Sequence, residues 1–462
     1  MEKSQSKTNR IIFTFLDGEN GLSSMEKRRM NMENKLKIRD SGETFTRNGE
    51  DFFLLIDTFW TALYNPNDAE WEAYLNYRKS QNYNAIQMNV ILQWDGGVPE
   101  TGLYPFELKE NGNFDFQKLN TMYFDHVEKR LQKAFEMGFI PVLVLLHASY
   151  TVGTWAAANH PESVMPMEII EDYIAYTVDR VKKYNPMYIV AGDTDLNSEE
   201  TRQCFHLALE TVKSRDPDGL TCFHLSPSSD LPEEFSSSPL LDFYMLQPGH
   251  RADKTALAYE MIQKYVRYPY KKPIVNGEFT YEGHSYTEEL YGRYNEFDQR
   301  RGIWQSVLAG SKAGIGYGAQ GLWGWYIQGK EFANEKYGGK AYPWQIAMQF
   351  KGAWEGSFAR YLFEQYQMFD LIPCDLILND HELQRKEIRA AKSADDRLIV
   401  IYMPHGVDIK VGCNLEGYSF TMIEMTNKWF GKPSISCESS YSVIRMPEFN
   451  SDFLFIGKKM KN

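Results

Sequence analysis

Between residues 52 and 369 the sequence alternates short, unbroken apolar runs with longer stretches of helical period, and this alternation leaves very few folds open. The runs are Phe52–Ile56, Asn84–Leu92, Phe139–Leu146, Met187–Ala191, Thr221–Leu225, Phe243–Leu246, Pro273–Asn276, and a glycine-rich strand with its exit loop inside Gly314–Trp325. Apolar strands without alternation are buried on both faces, as in a parallel sheet covered by helices. The stretches between them supply those helices. In Asn120–Met137, Tyr123, Val127, Leu131 and Phe135 recur at helical spacing, and Gly138 stands where a helix end is capped. Further helices are expected over Ala69–Gln81, Met167–Tyr184, Glu199–Ser214, Ala256–Val266, Glu288–Ser311 and Ala353–Phe369. About eight such units predict an α/β fold of the (β/α)8 TIM-barrel type, which takes ~250 residues plus insertions. An open doubly wound sheet is the competitor, but no G-x-G-x-x-G follows the first strand.

After residue 371 the helical period stops. Lys386–Ala390, Leu398–Met403, Asp408–Val411, Tyr418–Ile423, Ser442–Arg445 and Phe453–Ile456 are short alternating segments separated by turn residues, which predicts a small antiparallel β-sandwich. The expected division is a polar N-terminal extension over residues 1–35, a barrel over 36–370 and the sandwich over 371–462, with two or three short strands opening the barrel region at Leu36.

Charge and cysteine usage narrow the function. Lys and Arg number 50 against 62 Asp and Glu, a formal net charge of −12 that repels nucleic acid and anionic membrane. No apolar run reaches the ~18 residues of a spanning helix, and Ile11–Phe15 is too short for the core of a signal peptide. The five cysteines, Cys204, Cys222, Cys374, Cys413 and Cys437, are scattered and contain no C-x-x-C pair. Neither a disulfide framework nor a zinc site is expected from them, and a cytoplasmic location fits. No ligand cluster, H-E-x-x-H, P-loop or G-x-S-x-G is present, so no metal or cofactor is expected. The sequence is silent on oligomeric state.

In a (β/α)8 barrel the chemistry sits at the C-terminal ends of the strands. The polar residues where the apolar runs stop are therefore the candidates. They are Asp57 and Thr58, Gln87 and Asn89, His147, Asp193 and Asp195, His224, Tyr244 and Gln247, Asn276 and Glu278, and Gln320, Trp323 and Trp325. Asp193 after the fourth run and Glu278 after the seventh are placed to face one another. Two carboxylates serve glycoside hydrolysis: one, protonated, donates to the leaving oxygen, while the other, ionised, attacks the anomeric carbon or activates water. Asp57 is either a plain polar stop of the first strand or a holder of sugar hydroxyls. His147 and His224 either satisfy the core or contact a hydroxyl or carboxylate. Trp323 and Trp325 alternate, which predicts one shared face, either as core or as a platform for a sugar ring. Glu282 is a rival to Glu278. The Gly314–Gly318 segment suits close strand packing rather than phosphate binding, since no Lys-Ser/Thr follows it.

Several stretches, taken together, resemble the apiosidase-like glycoside hydrolases, the group around glycoside hydrolase family 140. They are Asn48–Trp60, with Asp57-Thr58 and Trp60; Tyr74-Leu75, Arg78 and Asn84–Gln87; Ala191-Gly192-Asp193; Pro273–Glu278 followed by Tyr281-Glu282-Gly283; and Arg301, Trp304–Ser306, Ala309-Gly310 and Tyr317–Trp323. The likeness runs from about residue 36 to 370. Ile56 stands where that group commonly has Gly, and Phe279 where it commonly has Pro. The C-terminal segment is similar to the β-domain often appended to these barrels, once named collagen-binding-like. The resemblance implies a barrel with Asp193 as general acid/base and Glu278 as nucleophile. It implies a retaining, exo-acting enzyme on a carbohydrate substrate, with apiose in plant pectin as the known type. Asp57, Thr58, Gln87, Asn89, His147, His224, Tyr244, Gln320, Trp323 and Trp325 are then the substrate-binding candidates. Other specificities on the same site, such as arabinofuranosidase or galactosidase, and a non-catalytic carbohydrate-binding barrel are the alternatives.

Overall fold

The structure, a computed structural model, describes residues 35–460 apart from 228, 252, 254–255 and 288–290. Apart from Lys35, the polar extension expected over residues 1–35 lies outside the described residues. Eight parallel strands, β1 (Leu54–Thr58), β2 (Ala85–Asn89), β3 (Ile140–His147), β4 (Met187–Thr194), β5 (Leu220–Leu225), β6 (Tyr244–Leu246), β7 (Ile274–Asn276) and β8 (Gly314–Tyr317), close into a barrel in chain order. Each is followed by a helix: α1 (Asp68–Ser80), α2 (Thr121–Glu136), α3 (Met167–Val181), α4 (Glu199–Arg215), α5 (Glu233–Ser236), α6 (Leu257–Val266), α7 (Glu296–Ala309) and α8 (Gly352–Tyr366). The fold is the expected α/β barrel.

Strand parity sorts the side chains. Leu54 and Ile56 on β1, Val142 and Val144 on β3, Met187 and Ile189 on β4, and Phe243, Met245 and Val275 on β6 and its neighbours fill the interior. Their sequence neighbours Leu55, Leu143, Tyr188, Tyr244 and Ile274 join the layer between sheet and helices. A three-stranded antiparallel sheet of Leu36–Ile38, Phe45–Arg47 and Glu50–Phe52 precedes β1 and plugs the N-terminal end. There Phe45 meets Phe243 edge to face at 5.6 Å. On β8 the glycines are a packing requirement, since a Cβ on Gly316 would stand 2.1 Å from the Gly277 carbonyl oxygen. One end of the interior is thus sealed, and the other carries the loops.

Two local expectations are corrected, and two elements stand where none was expected. The helix expected from Glu288 begins at Glu296, where Asn295 and Asp298 form a capping box; residues 288–290 lie outside the described residues. The fifth helix, where no helical stretch was expected, is four residues long. A hairpin of Phe106–Leu108 and Phe114–Leu119, turning at Asn111-Gly112, is inserted between β2 and α2; its Asn-Gly turn signal stood in the sequence. The strand expected over Lys386–Ala390 is a helix, Glu382–Glu387, followed by a strand that starts at Arg389.

Beyond α8 come β9 (Leu371–Pro373), β10 (Arg389–Ser393), β11 (Leu398–Met403), β12 (Ile409–Val411), β13 (Tyr418–Glu424), β14 (Trp429–Gly431), β15 (Ile435–Cys437), β16 (Ser442–Ile444) and β17 (Phe453–Lys459). They form a six-stranded sheet, β9-β10-β11-β17-β13-β14, and a three-stranded one, β12-β16-β15, antiparallel throughout. Ile399, Ile401, Ile409, Val411, Ile444 and Phe455 pack between the two sheets. Arg300 of α7 reaches across to Asp452 at 3.0 Å and so ties this unit to the barrel.

Candidate active site

The open end of the barrel holds a cavity of about 450 Å³. Asp193, Glu278, His147, His224, Asn89 and Trp323, all singled out from the sequence, line it. Asp95, Gln247, His250 and Tyr281 line it too.

Asp193 is the last residue but one of β4 and stands at the second of two register shifts in the ladder to β5. Its backbone lies in the left-handed region at φ +47°, a conformation that costs of order 1–3 kcal/mol and persists only where the surroundings hold it. Two donors do so: the Trp155 indole N–H and the Ser226 hydroxyl reach the Asp193 carbonyl at 2.8 and 3.0 Å. The twist turns the carboxylate into the cavity. The Gln247 amide donates to its Oδ1 at 2.6 Å, and His147 Nε2 stands 4.0 Å from Oδ2. Withdrawal from bulk water and the nearby charge of Glu278 push the Asp193 carboxyl well above its ordinary range.

Glu278 follows β7 and sits deeper. Its side chain is 8 % exposed, against 31 % for Asp193. His250 Nε2 lies 3.0 Å from Oε1 and His224 Nε2 3.6 Å from Oε2. The tautomer of His250 follows from its other nitrogen. The Tyr281 backbone N–H donates to Nδ1 at 3.2 Å, so Nε2 carries the proton and donates to Glu278. Burial holds His250 at about 3, a neutral donor. The Tyr281 hydroxyl accepts from the Trp60 indole at 3.1 Å, which leaves its own proton for Glu278. Burial raises the Glu278 carboxyl above its ordinary range, and the Tyr281 hydrogen bond offsets only part of this. Both carboxyls are raised, Asp193 well above its ordinary range and Glu278 less so, and Asp193 is the one that holds a proton more readily.

His147 and His224 also stay neutral. Burial drives His147 to about 3 and lowers His224. The Ser149 backbone N–H donates to His147 Nδ1 at 3.2 Å, which puts the proton on Nε2, facing Asp193.

Six of the ten substrate-binding candidates lie outside the cavity lining, as do Asp195 and Asn276. Asp57 has outward parity and is buried between β1 and α1, 2.7 Å from Arg78 Nε and 2.6 Å from the Tyr74 hydroxyl. Thr58 and Gln87 point inward but form the floor: the Gln87 amide donates to Thr58 Oγ1 at 2.6 Å and to the Gly277 carbonyl at 3.0 Å. Tyr244 also has outward parity, and its hydroxyl is taken by the carbonyls of Ser236 and Tyr270 at 3.0 and 3.1 Å. It therefore does not reach Glu278. Gln320 braces Trp323 from behind, accepting from its indole at 3.0 Å. The two tryptophans do not share a face. Gly321–Trp325 is a turn rather than a strand, and Trp325, at φ +52°, stacks on Trp344 at 4.0 Å in the outer layer. Glu282 is tied to the Tyr317 hydroxyl and the Gly352 N–H at 2.7 and 2.8 Å, away from the cavity.

Sequence reasoning did not single out His250 and Asp95 as site residues. Both lie a few residues beyond a strand end, on the β6 and β2 loops, so extending the strand-end rule into the loops would have found them. Asn334 and Tyr337 come from the long β8–α8 segment, which carries no periodic signal.

The family model for the apiosidase-like catalytic domain matches residues 40–370. A solved glycoside hydrolase superposes with a TM-score of 0.77 at 19 % identity, over 93 % of this chain and 97 % of its own. A glycoside hydrolase family 5 structure from Bacteroides vulgatus gives 0.77 and 19 %, over 93 % and 94 %. At such identities these likenesses speak for the fold. No curated protein matches the chain significantly. The family match spans most of the sequence and all eight barrel strands: the chain belongs to the apiosidase-like family and is a glycoside hydrolase.

Proposed function

We propose that the chain releases a terminal sugar, apiose or a similar pentose, from plant-derived glycans or glycosides by double displacement. Glu278 is the nucleophile and Asp193 the general acid and base. The observation that carries this reading is the pairing of an ion-ready acid with a proton-holding one around a single cavity. Glu278 Oε1 is held by a neutral His250 donor, so Oε2 is the oxygen that attacks the anomeric carbon. Asp193, more exposed and raised, protonates the departing oxygen. Once the sugar is bound to Glu278, that negative charge is gone and the pKa of Asp193 falls. Asp193 then takes a proton from water, which attacks and frees the sugar. Residues 36–370 form the catalytic unit on this reading and residues 371–462 an appended β-unit. The five unpaired cysteines support a reducing, cytoplasmic setting.

The test is sugar release from a panel of aryl glycosides and apiose-containing plant glycosides by wild type, Asp193→Ala and Glu278→Ala. Release of one sugar by wild type alone is expected. Release unaffected by either substitution would remove both residues from their roles. Glycan binding without release from any substrate would favour the non-catalytic barrel.

A further inference from the structure

Among the described residues, Arg78, Arg130, Arg300 and Arg389 are the buried arginines. The first three have acceptors. Arg78 meets Asp57 at 2.7 Å, Arg300 meets Asp452 at 3.0 Å, and Arg130 donates to the Pro66 and Asn67 carbonyls. Arg389, 9 % exposed at the start of β10, has none among the described residues. Its Nε is buried without a hydrogen-bond partner. Asp375, Glu260 and Glu387 act on it only from beyond ion-pair range. The guanidinium sits over the Tyr259 ring of α6, 3.6 Å from its centroid. That contact holds it in place without satisfying any of its five N–H groups. A buried charge is ordinarily paired, and a buried polar group left without a partner calls for an explanation.

Arg389 lines a second cavity, of about 180 Å³, at the junction of the barrel and the C-terminal unit. Gln263 of α6 and Leu308 of α7 close it from the barrel side, Pro373 and Ile388 from the other. Arg385, exposed at its rim, brings a second guanidinium. The carbonyls of Asn379 and Asp380 fix one end of that group, each 2.6 Å from Nη1, while its Nε and Nη2 make no bond among the described residues. Asp375 is the one acid among the described lining residues, and it is exposed. Two arginines thus face one solvated carboxylate. A guanidinium stacked on a ring still presents its N–H fork, which grips the oxygens of a carboxylate or phosphate two at a time.

We propose that this cavity binds a small oxyanion, a carboxylate or phosphate group, on Arg389, with Arg385 and Gln263 as further donors. It shares no lining residue with the cavity of Asp193 and Glu278, and the proposal does not depend on the glycosidase reading. A ligand held there joins α6 to β10 and strengthens the seam between the two units.

The test is calorimetric titration of the full chain with inorganic phosphate and, separately, with acetate, each at an ionic strength fixed with sodium chloride. One saturable site is expected for at least one of the two anions, and the one that binds names the ligand class. The same anion should raise the thermal unfolding midpoint. Arg389→Gln should weaken binding about tenfold or more, the worth of hydrogen bonds to a charged group, and abolish the rise in the midpoint. Arg389→Lys keeps the charge but loses the fork; it should bind several-fold more weakly than wild type and serves if Arg389→Gln fails to fold. Asp375→Asn, at an exposed position, removes the opposing charge and should tighten binding several-fold. Binding of neither anion over chloride would overturn the proposal, as would binding that is undiminished in the Arg389 variants.

Discussion

Asp57 and Glu278 look alike in the sequence: each is an acid at the end of an apolar run, and each is buried. Their surroundings are opposite. Asp57 points outward and meets Arg78, a full counter-charge with both side chains 0 % exposed. Glu278 points into the cavity, where its ion-pair-range neighbours among the described residues are two neutral histidines. The same contrast separates Tyr244 from Gln247, three residues apart on one strand and its exit. For Asp57, Tyr244 and Gln247 the lesson is one of parity, whereas Glu278, two residues beyond the end of β7, has left the strand's alternation. On a barrel strand, a step of one residue moves a side chain from the mouth to the layer under the helices. Asp57, in that layer, is matched by a cation and holds the fold; Glu278, at the mouth, has no Arg or Lys within ion-pair range among the described residues and is left for chemistry.

The sharpest way to break this contrast is to delete both acids in turn. Glu278→Ala is expected to lower turnover on the order of 10⁴-fold with an unfolding midpoint near wild type. Asp57→Ala strands Arg78 in a dry layer and is expected to cost about 3–5 kcal/mol of stability, read from denaturant midpoints. An Asp57→Ala protein of undiminished stability, or a Glu278→Ala protein that unfolds, would erase the distinction.

Asp193→Ala comes next, with a loss of about 10²–10⁴-fold on substrates with poor leaving groups and a smaller one on 4-nitrophenyl glycosides, which need no acid. The acid works only while protonated. Because its folded pKa is raised, wild-type kcat/KM should hold through mildly acidic pH and fall as pH rises through that raised value. Asp193→Ala should lose this alkaline limb. A limb that survives the substitution would assign the proton elsewhere.

Glu282 sharpens the comparison on the structural side. Burial raises its carboxyl from 4.5 to about 7. The folded state therefore binds a proton that the unfolded chain releases. The associated stability is fully present below pH 4.5 and is lost as pH rises through about 7. At ~1.4 kcal/mol per pKa unit this amounts to about 3 kcal/mol. Both of its hydrogen bonds go to Oε2, so Glu282→Gln can keep them while mimicking the protonated acid. That variant should flatten the decline in stability between pH 5 and 8, followed by thermal unfolding; an unaltered profile would place the proton on another group.

The smallest expected effect is at His250. As a positioning residue it orients Glu278 rather than touching the sugar. His250→Gln should lower kcat about tenfold, the worth of one hydrogen bond to a charged group, with little change in KM. An effect on KM alone would make it a substrate contact instead.

Much of the barrel was legible because parallel strands must be apolar on both faces, and the β3 and β4 runs say so without ambiguity. Asp193 and Glu278 were legible because strand ends of a barrel face one mouth. Asp57 and Tyr244 were misplaced because a run of five apolar residues, unlike an alternating strand, hides its parity. Leu54-Leu55-Ile56 does not say which side chain faces in. Trp325 was misplaced because a turn breaks the period of two that a strand would keep. His250 and Asn334 depend on loop paths set by tertiary packing, such as the Tyr281 N–H that fixes the His250 ring, and no local pattern encodes those.

The central claim is that Glu278 bonds to the sugar while Asp193 moves the proton. Proton NMR of the first-formed product, recorded before the free sugar mutarotates, tests it most directly. Two displacements at the anomeric centre should give the same anomer as the substrate. The opposite anomer would mean one displacement by water, with Glu278 as a base rather than a nucleophile, and would contradict the account.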